Sequence, residues 1–108
     1  MALFSRNKKS KILVIDDSET VRTSLKAVLA PHYRVSLAED GAAGLKLIAK
    51  EKPDMVLLDL VMPTLDGFKV LSLLRSQQAT KDIPVFVITE QQKSQDVDRA
   101  MQLGATDY

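Results

Sequence analysis

The chain has 108 residues, of which 45% are apolar and 27% charged, and it contains no cysteine. That length carries one domain with its own core and is too short for two. The absent cysteines exclude a disulfide framework, and no apolar run reaches the roughly 18 residues of a membrane-spanning helix.

Fifteen basic against fourteen acidic residues leave a net charge of +1. Arg6, Lys8, Lys9 and Lys11 fall in the first eleven positions with no acid among them. Residues 1–10 therefore read as a basic, flexible, solvated leader. Four charges are few for a nucleic-acid or membrane-surface patch, so direct nucleic-acid binding is not expected. The leader lacks the apolar segment of a secretory signal, which together with the cysteine count points to the cytoplasm.

Lys11–Ile15 reads as the first strand, and its apolar run ends in Asp16-Asp17-Ser18. A helix follows over Glu19–Ala30, with Val21, Leu25, Val28 and Leu29 on one stripe, and Pro31 stops it. Tyr33–Ala38 alternates, as an exposed strand does. Asp40 is placed to cap a second helix over Gly41–Glu51, which buries Ala43, Leu47 and Ile48. Asp54–Asp59 is the third strand, four consecutive apolar residues that end in a carboxylate. After the Met62-Pro63 turn, Asp66 caps a helix over Gly67–Ser76 with Phe68, Val70, Leu71 and Leu74 inward. The fourth strand is Ile83–Thr89, with Pro84 at its start. Ser94 then caps a last helix that turns Val97, Ala100, Met101 and Leu103 inward, and Gly104 suits its C-terminal end.

Strands alternating with helices imply an α/β domain built of right-handed parallel units. Strands one, three and four are the most apolar and the second is the most polar, which gives the order 2-1-3-4, with a fifth strand expected beyond. In such a sheet a ligand crevice forms at the carboxyl ends of the strands, where the order reverses. Here that point lies between strands one and three, which end in Asp16-Asp17 and in Asp59.

Three carboxylates within a few ångströms repel by about 4 kcal/mol per close pair at an effective dielectric near 20. A cation offsets this, and an all-oxygen set points to Mg²⁺ or Mn²⁺ rather than zinc. The single histidine, His32, sits in the turn after Pro31, away from this rim. Magnesium keeps several waters and accepts phosphate oxygens, so the set suits phosphoryl chemistry, with Asp59 as nucleophile and the Thr89 hydroxyl toward a phosphoryl oxygen. Taken singly, these residues are equally good caps and turns. Their convergence at one point of the sheet favours a site.

Four segments together resemble the receiver domain of bacterial two-component response regulators. They are Ile12–Ser18, Val56–Gly67, Ile83–Thr89 and Gly104–Tyr108, in the family's order and spacing from Lys11 onward. The resemblance implies a flavodoxin-like three-layer sandwich of order 2-1-3-4-5, with 11–108 as a receiver domain that lacks the fifth strand and fifth helix. It implies that Asp59 takes a phosphoryl group from a histidine kinase or phosphotransfer protein in a phosphorelay. Asp17, Asp59 and the Val61 backbone carbonyl would ligate Mg²⁺, with Asp16 acting mostly through water. Thr89 and Tyr108 would be the switch residues. An output domain or downstream protein would read the switch, and a homodimer is a possible assembly.

Three positions depart from the family pattern. The family's phosphoryl-binding lysine would lie three residues past Tyr108, so this chain contains none. Glu90 stands where a small residue is usual, and Val61 where many members carry a polar side chain. A receiver-like interaction module that is not switched by phosphorylation is the competing reading. A true phosphohydrolase fits less well, since Leu60-Val61 lacks the second acid that such an enzyme uses as general acid. The chain is thus expected to promote at most its own phosphorylation and dephosphorylation.

Overall fold

The computed structural model describes residues 9–62, 65–88 and 94–107. Strands and helices alternate among them: β1 (Lys11–Ile15), α1 (Glu19–Leu29), β2 (Arg34–Ala38), α2 (Gly41–Glu51), β3 (Met55–Leu58), α3 (Gly67–Ser76), β4 (Val85–Val87) and α4 (Ser94–Gln102). The strands form one parallel sheet in the order β2-β1-β3-β4. That is the order read from the sequence, and it follows from hydrophobicity. β1 and β3 are flanked on both sides, whereas the more polar β2 takes an edge.

The register fixes where the strands end. Ile15 is level with Ala38 on one side and Leu58 on the other, and Leu58 is level with Val87. The residues that follow Ile15 and Leu58, Asp16 and Asp59, therefore leave the sheet side by side.

Right-handed crossovers put α1 on one face of this sheet and α2 and α3 on the other. The buried core lies on the second face. Leu13, Ile15, Val56, Leu58, Val85 and Val87 point into it from alternate strand positions and meet Ile48, Phe68, Val70, Leu71, Leu74 and Ala100 from the helices.

Most helix termini follow the expected chemistry. Asp40 accepts the Ala43 N–H at 2.8 Å and Asp66 the Lys69 N–H at 2.9 Å. Gly104 has φ +104°, the left-handed conformation expected after a helix end, and the Ala105 N–H donates back to Ala100 at 3.0 Å. The expected cap at Ser94 concerns a side chain outside the described residues.

Several expectations shift. β4 covers only Val85–Val87, because Pro84 has no N–H to give to the ladder; Thr89 lies outside the described residues. β2 starts at Arg34 rather than Tyr33, and β3 at Met55, where the Asp54 carboxylate turns aside to accept the Lys11 N–H at 2.7 Å. α1 ends at Leu29 with Ala30 as its cap. No α1 residue is fully buried, and Val28 is 70% exposed. Sequence spacing places Val28 on an apolar stripe, but burial also needs a second layer, and the described helices α2, α3 and α4 pack on the other face. Met101, expected inward, is 43% exposed.

A short parallel bridge joins Phe86 to Asp107. The Thr106 N–H donates to Val85 at 2.8 Å and the Val87 N–H to Asp107 at 3.0 Å. The chain leaving α4 thus lies along the outer side of β4, where a fifth strand is expected.

Candidate functional site

Asp16 is the first residue past β1. Its N–H still donates to Ala38 at 3.1 Å, so the turn begins with the ladder pattern intact. Its Oδ1 accepts the Ser18 N–H at 2.8 Å, and Ser18 Oγ accepts the Val21 N–H at 3.3 Å. The acidic turn and the start of α1 are thereby one hydrogen-bonded unit, and Ser18 is the N-cap.

Asp59 is the first residue past β3, and its N–H donates to Ile15 at 2.9 Å. Its Oδ1 accepts the Val61 N–H at 3.2 Å. Behind it stands Gly67. A Cβ there would overlap the Asp59 carbonyl oxygen and lie 2.6 Å from the Leu60 Cα, while the Gly67 N–H donates to Leu60 at 3.0 Å. Only glycine lets α3 begin this close to the Asp59 backbone.

These two turns bring Asp16, Asp17 and Asp59 together. Each offers a carboxylate oxygen, and all three atoms lie within 4.8 Å of one another. Asp16 and Asp59 are buried, Asp59 to 8% exposure, and Asp17 is exposed. The acids and Val61 open on a cavity of about 570 Å³, with Ile88 from the end of β4 and the hydroxyl residues Thr20 and Ser24 of α1 on its other walls.

Burial pushes the Asp59 carboxyl up from 3.8 to about 6, against the opposing Val61 N–H. The charges of Asp16 and Asp17, and a hydrogen bond with Asp17, push in the same direction as burial. The fit to a divalent ion is good. The donors are all oxygen, one is exposed to admit a hydrated ion, and the repulsion that raises Asp59 is what a cation relieves. Among the described residues no histidine or cysteine stands in the set.

The structure therefore brings together the three acids and Val61. Thr89 and Tyr108, like Glu90, lie outside the described residues. Two contributors escaped the sequence reading. Gly67 was legible only as a helix start, because the need for glycine arises from a neighbour eight positions away. Arg22 donates from Nη1 to the Asp16 carbonyl at 2.6 Å. Its signal in the sequence was a long cation one turn inside a helix that begins at the acidic pair.

Comparison with known proteins identifies the family and the fold. The family described as "Response regulator receiver domain" matches residues 12–108. Protein PilH of Pseudomonas aeruginosa is 40% identical over 100 residues, which are 92% of this chain and 83% of PilH. Response regulator MprA of Mycolicibacterium vanbaalenii is 42% identical over 99 residues, 91% of this chain but 42% of MprA. Among solved structures, a putative response regulator from Chloroflexus aurantiacus superposes with a TM-score of 0.88 at 31% identity, covering 94% of this chain and 84% of that one. The Mn²⁺-bound form of response regulator Rcp1 superposes at 0.83 and 28% identity, covering 92% and 78%. The order β2-β1-β3-β4 is thus that of the flavodoxin-like receiver fold, and the chain belongs to the response regulator receiver domain family of two-component signal transduction.

Proposed function

We propose that this domain is a phosphorylation-controlled switch that accepts a phosphoryl group on Asp59 in a Mg²⁺-dependent step. The observation that carries the reading is the convergence of three carboxylates at the carboxyl edge of the sheet, beside a cavity wide enough for a phosphodonor. Asp16, Asp17 and Asp59, with the Val61 carbonyl, would hold the ion. When bound, Mg²⁺ supplies positive charge beside the transferring phosphoryl oxygens.

The chain's own residues do the rest. The Val61 N–H and the backbone packed on Gly67 hold Asp59 with its carboxylate toward the cavity. A deprotonated Oδ of Asp59 attacks phosphorus, a new P–O bond forms, and the donor's bond to phosphorus breaks. From a phosphohistidine donor, the electron pair of the P–N bond stays on the imidazole nitrogen. The donor is then a histidine kinase or a phosphotransfer protein. Thr89 and Tyr108 are the residues proposed to respond, and the readers are an output domain or downstream protein. The new group adds up to two negative charges. To move a two-state equilibrium from 1:99 to 99:1, its differential contacts must supply about 5.5 kcal/mol.

The test is labelling with a small phosphodonor and Mg²⁺, followed by intact mass. The parent gains one phosphoryl group, and the gain vanishes with chelator and in Asp59→Asn. An Asp59→Asn variant that labels as the parent does contradicts the assignment.

A further inference from the structure

Arg22 extends from α1 back to the strand end that carries two of the acids. Its bond goes to the carbonyl of Asp16, and that carbonyl belongs to the peptide unit joining Asp16 to Asp17. The N–H and Oδ1 of Asp16 are held as well, by Ala38 and by the Ser18 N–H. Arg22 is not among the residues that line the cavity. Its short, charge-assisted bond instead sets the rotation of one peptide plane.

We infer that Arg22 is a positioning residue for the metal centre: its guanidinium fixes the Asp16–Asp17 peptide and thereby aims the exposed Asp17 carboxylate at Asp59. This rests on the reading that the three acids hold a divalent cation. The chemistry supports a positioning role over a charge role. A guanidinium beside a cation site opposes cation binding through its charge, whereas as a donor it favours binding by holding a ligand in place. The two roles predict opposite signs when Arg22 is replaced.

The experiment is Mg²⁺ titration calorimetry on the parent, on Arg22→Met, which loses both donor and charge, and on Arg22→Lys, which keeps a charged donor of nearly the same reach. Loss of a partner behind a metal ligand weakens metal affinity by about 10-fold or more. Arg22→Met is expected to bind Mg²⁺ about 10-fold more weakly, and Arg22→Lys nearly as tightly as the parent. In metal-free protein the Asp17 amide resonance should shift in Arg22→Met and stay near its parent position in Arg22→Lys. A folded Arg22→Met that binds Mg²⁺ as well as the parent overturns the proposal. So does an Arg22→Lys variant weakened about 10-fold, which can be read even if Arg22→Met does not fold. A parent that does not bind Mg²⁺ overturns the metal-site reading itself, and the role of Arg22 with it.

Discussion

Asp59 is held in a condition that costs stability. Its carboxyl titrates near 6 in the fold and near 3.8 when exposed. Between those values the folded state binds more protons than the unfolded state, so stability falls as pH rises through that window. Above pH 6 the whole penalty is present; below about 4 it is relieved. Metal-free protein is thus expected to gain melting temperature, relative to Asp59→Asn, as pH is lowered from 7 to 5. Equal pH slopes for parent and variant, measured by thermal denaturation without divalent ions, would show that Asp59 is not destabilised. Saturating Mg²⁺ at pH 7 should remove the difference, since an ion that binds the folded state alone stabilises it.

Gly67 makes a second claim at this scale. A methyl group there meets backbone rather than a movable side chain. Gly67→Ala should cost about 1–3 kcal/mol by overpacking and should also displace Asp59. Chemical denaturation reads the first effect and phosphodonor labelling the second. A variant that keeps both stability and labelling rate would mean that α3 can withdraw without moving the acid. Such needs are invisible in a sequence. Asp66-Gly67 has the form of an ordinary cap and turn, and only the approach of α3 to Asp59 turns the glycine into a requirement.

At the scale of elements, the helices on the core face are joined by two arginines. Arg75 of α3 donates Nε to the Gly104 carbonyl at 2.8 Å, and Nη1 to Ile83 at 2.7 Å and Lys81 at 3.0 Å. One side chain thereby ties the end of α3 to the loop before β4 and to the turn after α4. Burial lowers its pKa, an effect that the charge of Asp82 opposes, yet a guanidinium stays charged in proteins. Arg75→Ala removes three charge-assisted bonds and should cost about 2–3 kcal/mol in urea denaturation. Arg75→Lys should recover only part, since one ammonium does not span three carbonyls on two segments. Full recovery by lysine would reduce the contact to a point charge. Arg99 of α4, whose guanidinium lies 4.1 Å from the Phe68 ring centre, fastens α4 to the start of α3, next to Asp59. Arg99 itself is exposed, so Arg99→Ala should cost only about 0.5–1 kcal/mol.

The elements themselves were legible because their signals are local. Apolar runs marked β1 and β3, capping residues marked α2 and α3, and the polar Arg34–Ala38 marked an edge. Ends moved by a residue or two, as at Pro84, which has no N–H for the ladder, and at Asp54, whose carboxylate takes the Lys11 N–H. Burial on α1 was not legible. Helical spacing records which side chains share a face, but not whether a second layer covers that face.

At the scale of the whole molecule, the topology makes the site. Level strand ends and a reversal of order between β1 and β3 set Asp16 and Asp59 side by side, before any side-chain interaction is considered. That is why three acids, scattered over more than forty positions in sequence, could be grouped by reading strands alone. It is also why Arg22 and Gly67 could not. Their contacts, Arg22 with the Asp16 carbonyl and Gly67 with the Asp59 backbone, appear only in the packed structure.

The most direct test of this account is the crystal structure of the protein with Mg²⁺ and beryllofluoride, which binds carboxylates as a phosphoryl mimic. The account predicts beryllium bonded to an Asp59 carboxylate oxygen, with a Mg²⁺ ion held beside it by Asp17 and Asp59. Beryllofluoride or metal bound elsewhere, with Asp16, Asp17 and Asp59 unliganded at saturating concentrations, would contradict it.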